Sequence, residues 1–243
     1  MKDFLRALSF LTILPVRQIP LSEERELARS MAFFPLVGLI IGLLSAIGNY
    51  LLSLVLPQSL TLWFTLGLVS LLTRGLHLDG FADTMDGLAS GGSKERILEV
   101  MRDSRIGAFG VMSLILLFGA KYLALDQISN PSIHYSLILM IVMGRNSMVL
   151  VCFRSPYARP GEGLGKPFTE NLSPREMAFS LASAIGISLL IMNVKGILVF
   201  LGVCLFSLAY RLFFIKKMGG VTGDILGAAN ELAELLCLLL LII

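Results

Sequence analysis

The segment Leu60–Leu88, LTLWFTLGLVSLLTRGLHLDGFADTMDGL, decides how this chain has to be read. Residues 60–78 form an apolar run long enough to enter a membrane, since a helix needs about 20 residues to cross ~30 Å of hydrocarbon. Three carboxylates follow at once, Asp79, Asp83 and Asp86. Their spacing of four and then three residues sets them within a wedge of roughly 60° on a helix turning about 100° per residue. Three anions on one stripe repel one another, and beside hydrocarbon their desolvation is costly. A divalent cation relieves both, and hard oxygen ligands of this kind suit Mg²⁺, Mn²⁺ or Ca²⁺.

Working outward, six more runs have spanning character: 32–56, 107–125, 133–152, 177–193, 196–214 and 225–243. The chain is 56% hydrophobic and 15% charged, against about 45–50% and 25% for a soluble domain. With a mean hydropathy of +0.82, this excludes an ordinary soluble globule. The expected fold is an all-α, polytopic helical bundle of about seven transmembrane helices, a single membrane-embedded domain over 1–243. Asn193-Val194-Lys195-Gly196 is read as a tight joint between the fifth and sixth runs. The N-terminal sequence is broken by Pro15 and followed by charge, so no cleavable signal peptide is evident. Cys152, Cys204 and Cys237 are far apart in or beside apolar runs, which argues against a disulfide framework.

With the N-terminus placed inside, seventeen of the twenty Lys and Arg gather on that side, while Lys121 and Lys195 fall near the other and Arg145 lies within a run. The excess of basic residues in cytoplasmic loops orients membrane proteins, so the expected N-terminus is cytoplasmic and the polar loops share its face. Residues 1–30 then form a cytoplasmic N-terminal segment, with Ser22 as a helix cap, and 77–106 a cytoplasmic acidic-motif loop. No feature points to nucleic acid.

Three further clusters carry chemistry. Ser90-Gly91-Gly92-Ser93 should end the aspartate helix, and Arg102 and Arg105 flank Asp103 as a fork for phosphate or as ordinary membrane anchors. Gly219-Gly220-Val221-Thr222-Gly223-Asp224 lets backbone approach a ligand closely and opens an apolar helix bearing Glu231 and Glu234. Those glutamates either serve function or pair with cations of other spans. Arg145-Asn146 lies inside a span, where a guanidinium needs an anion from the protein or from a ligand phosphate, or else snorkels to the surface. The loop 153–166 is basic and glycine-rich; Arg154, Tyr157 and Lys166 could cover a large anionic substrate. His77 precedes the aspartates and reads either as a supporting group or as a packed histidine.

Metal-binding acids, phosphate-binding arginines and a membrane suit phosphoryl-group transfer to or from an amphiphile. Gly75–Leu88, Met101–Gly107 and Gly223–Ala228 resemble the cobalamin synthase family, the adenosylcobinamide-GDP ribazoletransferases, and Phe10–Val16 and Phe34–Gly38 are similar to its opening. The resemblance implies Mg²⁺-dependent joining of adenosylcobinamide-GDP and α-ribazole, or α-ribazole 5′-phosphate, giving adenosylcobalamin or its 5′-phosphate and GMP at the bacterial cytoplasmic membrane, with the active site facing the cytoplasm. It implies Asp79, Asp83, Asp86 and Asp224 as metal ligands. Arg102, Arg105 and Arg145 would neutralise phosphate, and Asp83 or Asp86 would act as base. His77, Asp103, Asn146, Arg154, Tyr157 and Lys166 would contact substrate. The corrinoid is a substrate and not a resident cofactor, since no cobalt ligand stands out. Homo-oligomerisation, or association with other corrin-pathway enzymes, is left open. Two other readings compete. Asp83-Thr84-Met85-Asp86-Gly87 matches the start of the CDP-alcohol phosphotransferase motif, although Ser90-Gly91 replace its Ala-Arg. Intramembrane Arg145, Glu231 and Glu234 would also suit an ion-coupled transporter.

Overall fold

The computed structural model describes residues 1–16, 24–129, 132–161 and 163–243, so the cap expected at Ser22 lies outside the described residues. The chain forms α1 (Lys2–Leu11), α2 (Glu24–Ser30), α3 (Phe34–Ser53), α4 (Gln58–Leu72), α5 (Leu76–Ser90), α6 (Lys94–Val100), α7 (Ala108–Asp126), α8 (Ser132–Cys152), α9 (Lys166–Asn171), α10 (Pro174–Met218) and α11 (Gly223–Ile242), with a 3₁₀ turn (Met31–Phe33) joining α2 to α3. No strand occurs among the described residues, and the expected all-α class holds. Local sequence explains the helix starts. Ser173 and Glu176 close a capping box with Pro174 in the first turn of α10, Ser93 caps α6, and Thr222 caps α11.

Helix α8 is the axis. Eighteen of its twenty-one residues are buried, because α3, α10 and α11 all pack against it. Small residues permit the approach of α3: a Cβ on Gly42 would lie 2.7 Å from Ile138 Cα, and one on Gly38 would lie 3.1 Å from Val142 Cα. Glycines four apart give such close helix pairs inside membranes, where tight packing drives association. The outer surface is apolar instead. Ile115, Leu116 and Leu123 of α7 and Leu190, Leu198, Leu205 and Leu212 of α10 are exposed, as a lipid-facing surface requires.

Five helical stretches among the described residues are long and apolar enough to cross a membrane: Glu24–Ser53, Ala108–Asp126, Ser132–Cys152, Pro174–Met218 and Gly223–Ile242. The expected runs differ from these in two places. The run 60–78 stops at Leu72, and α5 leaves α4 at 93°. Arg74 (φ 56°) and Gly75 (φ 65°) are left-handed there, a conformation that breaks a right-handed helix. The acidic motif therefore lies on a helix, as its spacing predicts, and Phe81 of that helix packs with Leu117 of α7 and Ala228 of α11. The runs 177–193 and 196–214 belong to α10, which breaks at Asn193 (φ 50°, ψ −134°). Ser180 Oγ donates to Asn146 and Ser207 Oγ to Ser147, neighbouring residues of α8. Twenty-seven straight helical residues would hold those serines about 40 Å apart, so α10 folds back on itself as a hairpin.

Gly42→Leu is expected to push α3 off α8 and to cost about 1–3 kcal/mol, the usual range for overpacking. Gly67→Ala, where a Cβ would meet nothing within 4 Å, is expected to be harmless. Thermal unfolding of both variants in detergent checks this.

Candidate active site

The site begins with side chains that are missing. A Cβ on Gly80 would sit 2.9 Å from Asp224 Cα, and one on Gly227 would sit 3.2 Å from His77 O. Only glycine lets α5 and α11 cross this closely, and the crossing sets the acidic stripe of α5 against the first turn of α11. Asp83 is half-buried and feels the charges of Asp79, Asp224, Asp86 and one cation, Arg159. Carboxylates from two distant motifs therefore share one patch.

Two contacts stitch loops to this crossing. Arg159 Nη2 donates to Asp224 Oδ2 at 2.6 Å and to Met101 O at 3.2 Å, tying the 153–165 loop to α11 and to the end of α6. Sequence reading missed Arg159. Its only signal was a cation in a loop, and its partners are 58 and 65 residues away. The Gly219–Gly223 loop was expected to admit a ligand, but the backbone lying against it is protein. Val221 N donates to Pro156 O at 2.9 Å, Ala158 N donates to Val221 O at 3.0 Å, and a Cβ on Gly220 would collide with Pro156 O. Asp86 has a second commitment: its two oxygens accept the backbone N–H groups of Gly107 (2.6 Å) and Gly110 (2.7 Å). It anchors the N-terminus of α7, where unpaired N–H groups and the helix dipole favour an anion.

Two cavities adjoin at the carboxylates, and a third adjoins the second. One of about 830 Å³ is lined by Arg6, Arg74, Leu78 and Asp79. A second of about 190 Å³ shares Asp79 and adds His77, Asp224, Tyr157 and Arg159. The third, about 560 Å³, shares Tyr157 and Arg159 and adds the cations Lys94 and Arg102 together with Glu95 and Glu99. Among the described residues, no three His, Cys, Asp or Glu side chains converge as a ready-made metal site. The donors still suit Mg²⁺ chemically, because that ion keeps several waters and commonly takes one or two carboxylates plus substrate phosphate oxygens.

The model of a family described as cobalamin-5-phosphate synthase matches residues 3–242. The chain belongs to that family. A relative from Syntrophobacter fumaroxidans named adenosylcobinamide-GDP ribazoletransferase is 42% identical over 234 residues, spanning 96% of this chain and 94% of its own. Relatives of the same name from Geotalea daltonii and Alkaliphilus metalliredigens are 39% and 38% identical, over 97% and 96% of this chain and 95% and 92% of theirs. No solved structure matches the chain. The protein is thus a membrane-embedded transferase of cobalamin biosynthesis.

The family's expected site residues divide in space. Asp79, Asp224, His77, Tyr157 and Arg102 line the cavities, and Asp83 lies close to Asp79 and Asp224. Arg105 is folded onto Asp103 through Nε–Oδ1 at 3.0 Å and Nη2–Oδ2 at 2.7 Å, and these bonds hold the exposed Asp103 carboxyl down to about 2. The expected two-arginine fork is therefore a single pair, with Arg102 reaching Pro160 O at 3.4 Å instead. Arg154 lies over the Phe153 ring at 5.3 Å and is exposed, and Lys166 opens α9.

Arg145 and Asn146 correct the sequence reading. Neither lines any of these three cavities; both are buried inside the bundle. Arg145 Nη1 donates to Asn230 and, at 3.2 Å, to Glu234 Oε1, while Asn146 accepts from Ser180. Lys121, expected near the outer surface, is buried with Nζ 2.6 Å from Glu231 Oε2 and 2.7 Å from Glu234 Oε2. The intramembrane charges proposed for ion transport are matched to one another, two cations to two anions. Removing one partner of a buried pair strands the other, a loss of ~3–5 kcal/mol. Lys121→Met is expected to lower stability by about that much, and Lys121→Met/Glu231→Gln to recover part of it. Thermal unfolding in detergent checks both.

Proposed function

We propose that the chain joins adenosylcobinamide-GDP to α-ribazole or α-ribazole 5′-phosphate, releasing GMP and adenosylcobalamin or its 5′-phosphate. The reading places the reaction at the cytoplasmic face of the bacterial inner membrane, on the side where the basic loops gather. One observation carries it: Asp79 and Asp83 of α5 meet Asp224 of α11 where two cavities adjoin, with a third beyond Tyr157 and Arg159. A two-substrate transfer through a diphosphate needs such a junction, with acids to hold a cation and separate room for donor, acceptor and leaving nucleotide.

In the step, a ribose 3′-hydroxyl oxygen of the acceptor attacks the phosphorus on the cobinamide side of the diphosphate. The bond from that phosphorus to the bridging oxygen breaks, and GMP departs with the oxygen. Mg²⁺ held by Asp79 and Asp224 would supply charge neutralisation on the diphosphate. Asp83 takes the hydroxyl proton and returns it to solvent, since both oxygens of Asp86 already accept backbone N–H groups. Lys94, Arg102 and Arg159 line the cavity best suited to the leaving nucleotide phosphate. Arg159 also holds Asp224 in place.

Purified protein in detergent or vesicles is expected to release GMP and form the joined corrinoid only with a divalent cation. Asp83→Asn is expected to lower kcat about 10²–10⁴-fold, the range for losing a general base. Absence of GMP with any divalent metal would overturn the reading. Full activity in Asp83→Asn would keep the reaction and move the base elsewhere.

A further inference from the structure

We propose that the cavity of about 190 Å³ is the seat of the acceptor's base: it takes a flat, largely apolar, nitrogen-containing bicyclic ring and hydrogen-bonds it through His77. The inference rests on the function proposed above and names where one substrate of that reaction lies.

Size is the first argument. Whole drug-sized ligands occupy pockets of about 300–1,000 Å³. A cavity of about 190 Å³ therefore accepts a ring system and leaves the rest of its ligand outside. The neighbouring cavity, about 830 Å³ and sharing the Asp79 wall, has room for a far larger body.

The walls are the second. Phe10, Phe34 and Phe168 all line the cavity, and their rings touch one another. Phe10 and Phe168 centroids are 5.3 Å apart, Phe34 and Phe168 6.1 Å, and Phe10 stacks on Phe34 at 6.3 Å. Aromatic side chains around a flat base bind it with little regard to charge, each stacked base being worth about 1–3 kcal/mol. Arg159 is the cavity's one cation among the described residues, and Asp224 already engages it. The cavity next door sets Lys94, Arg102 and Arg159 against Glu95 and Glu99, a small positive excess, whereas here Asp79 and Asp224 outweigh Arg159, so phosphate favours the neighbour.

His77 is the third and most specific. It lines this cavity, is 1% exposed, and has no hydrogen-bond partner on either ring nitrogen. Buried polar atoms are nearly always paired, and an orphan carries its full desolvation cost. The unsubstituted ring nitrogen of a benzimidazole-type base is an acceptor of the right kind for a neutral imidazole N–H. Asp79 and Asp224 line the same cavity, so a base seated here leaves its sugar beside the reacting acids.

Three measurements test this. Leu164 lines the cavity yet is 73% exposed, so Leu164→Trp fills the mouth without disturbing the core. It is expected to raise KM for α-ribazole about tenfold or more while KM for adenosylcobinamide-GDP stays within about twofold; stacking energies of ~1–3 kcal/mol set that scale. His77→Phe is expected to raise KM for α-ribazole about five- to tenfold, the scale of one lost hydrogen bond. It should also abolish discrimination between a benzimidazole riboside and an indole riboside that lacks the acceptor nitrogen. Equilibrium binding of α-ribazole alone, weaker in Leu164→Trp, reads the pocket independently of turnover. Undisturbed discrimination in His77→Phe, equal effects of Leu164→Trp on both substrates, or no binding of α-ribazole to wild type would overturn the pocket. Binding that Leu164→Trp weakens, in a wild type that makes no GMP, would uphold the pocket and defeat the reaction instead.

Discussion

Lys121 of α7, Arg145 of α8 and Glu231 and Glu234 of α11 form a charge-balanced group inside the bundle, joined by Asn230. In a medium of low dielectric none of the four is tolerable without the others. The group therefore fixes the register of three helices to within a fraction of a turn. A slip of one residue on α11 would turn its glutamates away from both cations. The reactive acids depend on that register, because Asp224 stands on α11 two turns before Glu231 and on the same side of the helix.

Glycine carries that order to the polar end. Gly38 and Gly42 bring α3 against α8, Gly80 and Gly227 bring α5 against α11, and Gly165 and Gly220 let two loops lie backbone to backbone. Each removes a side chain where a Cβ would press on or collide with neighbouring backbone. A membrane bundle has no hydrophobic drive between its helices, so close contact of this kind does the holding that burial of apolar surface does in water. The consequence for chemistry is direct: acids nearly 150 residues apart in the chain come to share one patch.

The acids then differ by what has already claimed them. Asp86 serves the N-terminus of α7, Asp103 serves Arg105, and Asp224 accepts from Thr222 and Arg159. Asp79 and Asp83, on the open side of α5, have neither kind of commitment among the contacts of the described residues. The most exposed acid of the stripe, Asp79, is also the wall between the two cavities that would hold donor and acceptor.

Much of this was legible in the linear chain. Length and apolarity of the runs determined a helical membrane bundle, because a backbone in hydrocarbon must satisfy its own hydrogen bonds. The i, i+4, i+7 spacing of Asp79, Asp83 and Asp86 determined a one-sided acidic helix, because helical periodicity is local. Ser90–Ser93 placed the end of α5 and Gly219–Asp224 the start of α11, and the motifs carried the family. What tertiary structure alone decided was partnership. Whether Arg145 met a phosphate or Glu234, whether Glu231 worked or paired with Lys121, that Asp86 was a cap, and that Arg159 was part of the site all depended on residues dozens of positions away. Charges choose partners by distance through space, and spacing along the chain does not encode that distance until the helices have packed.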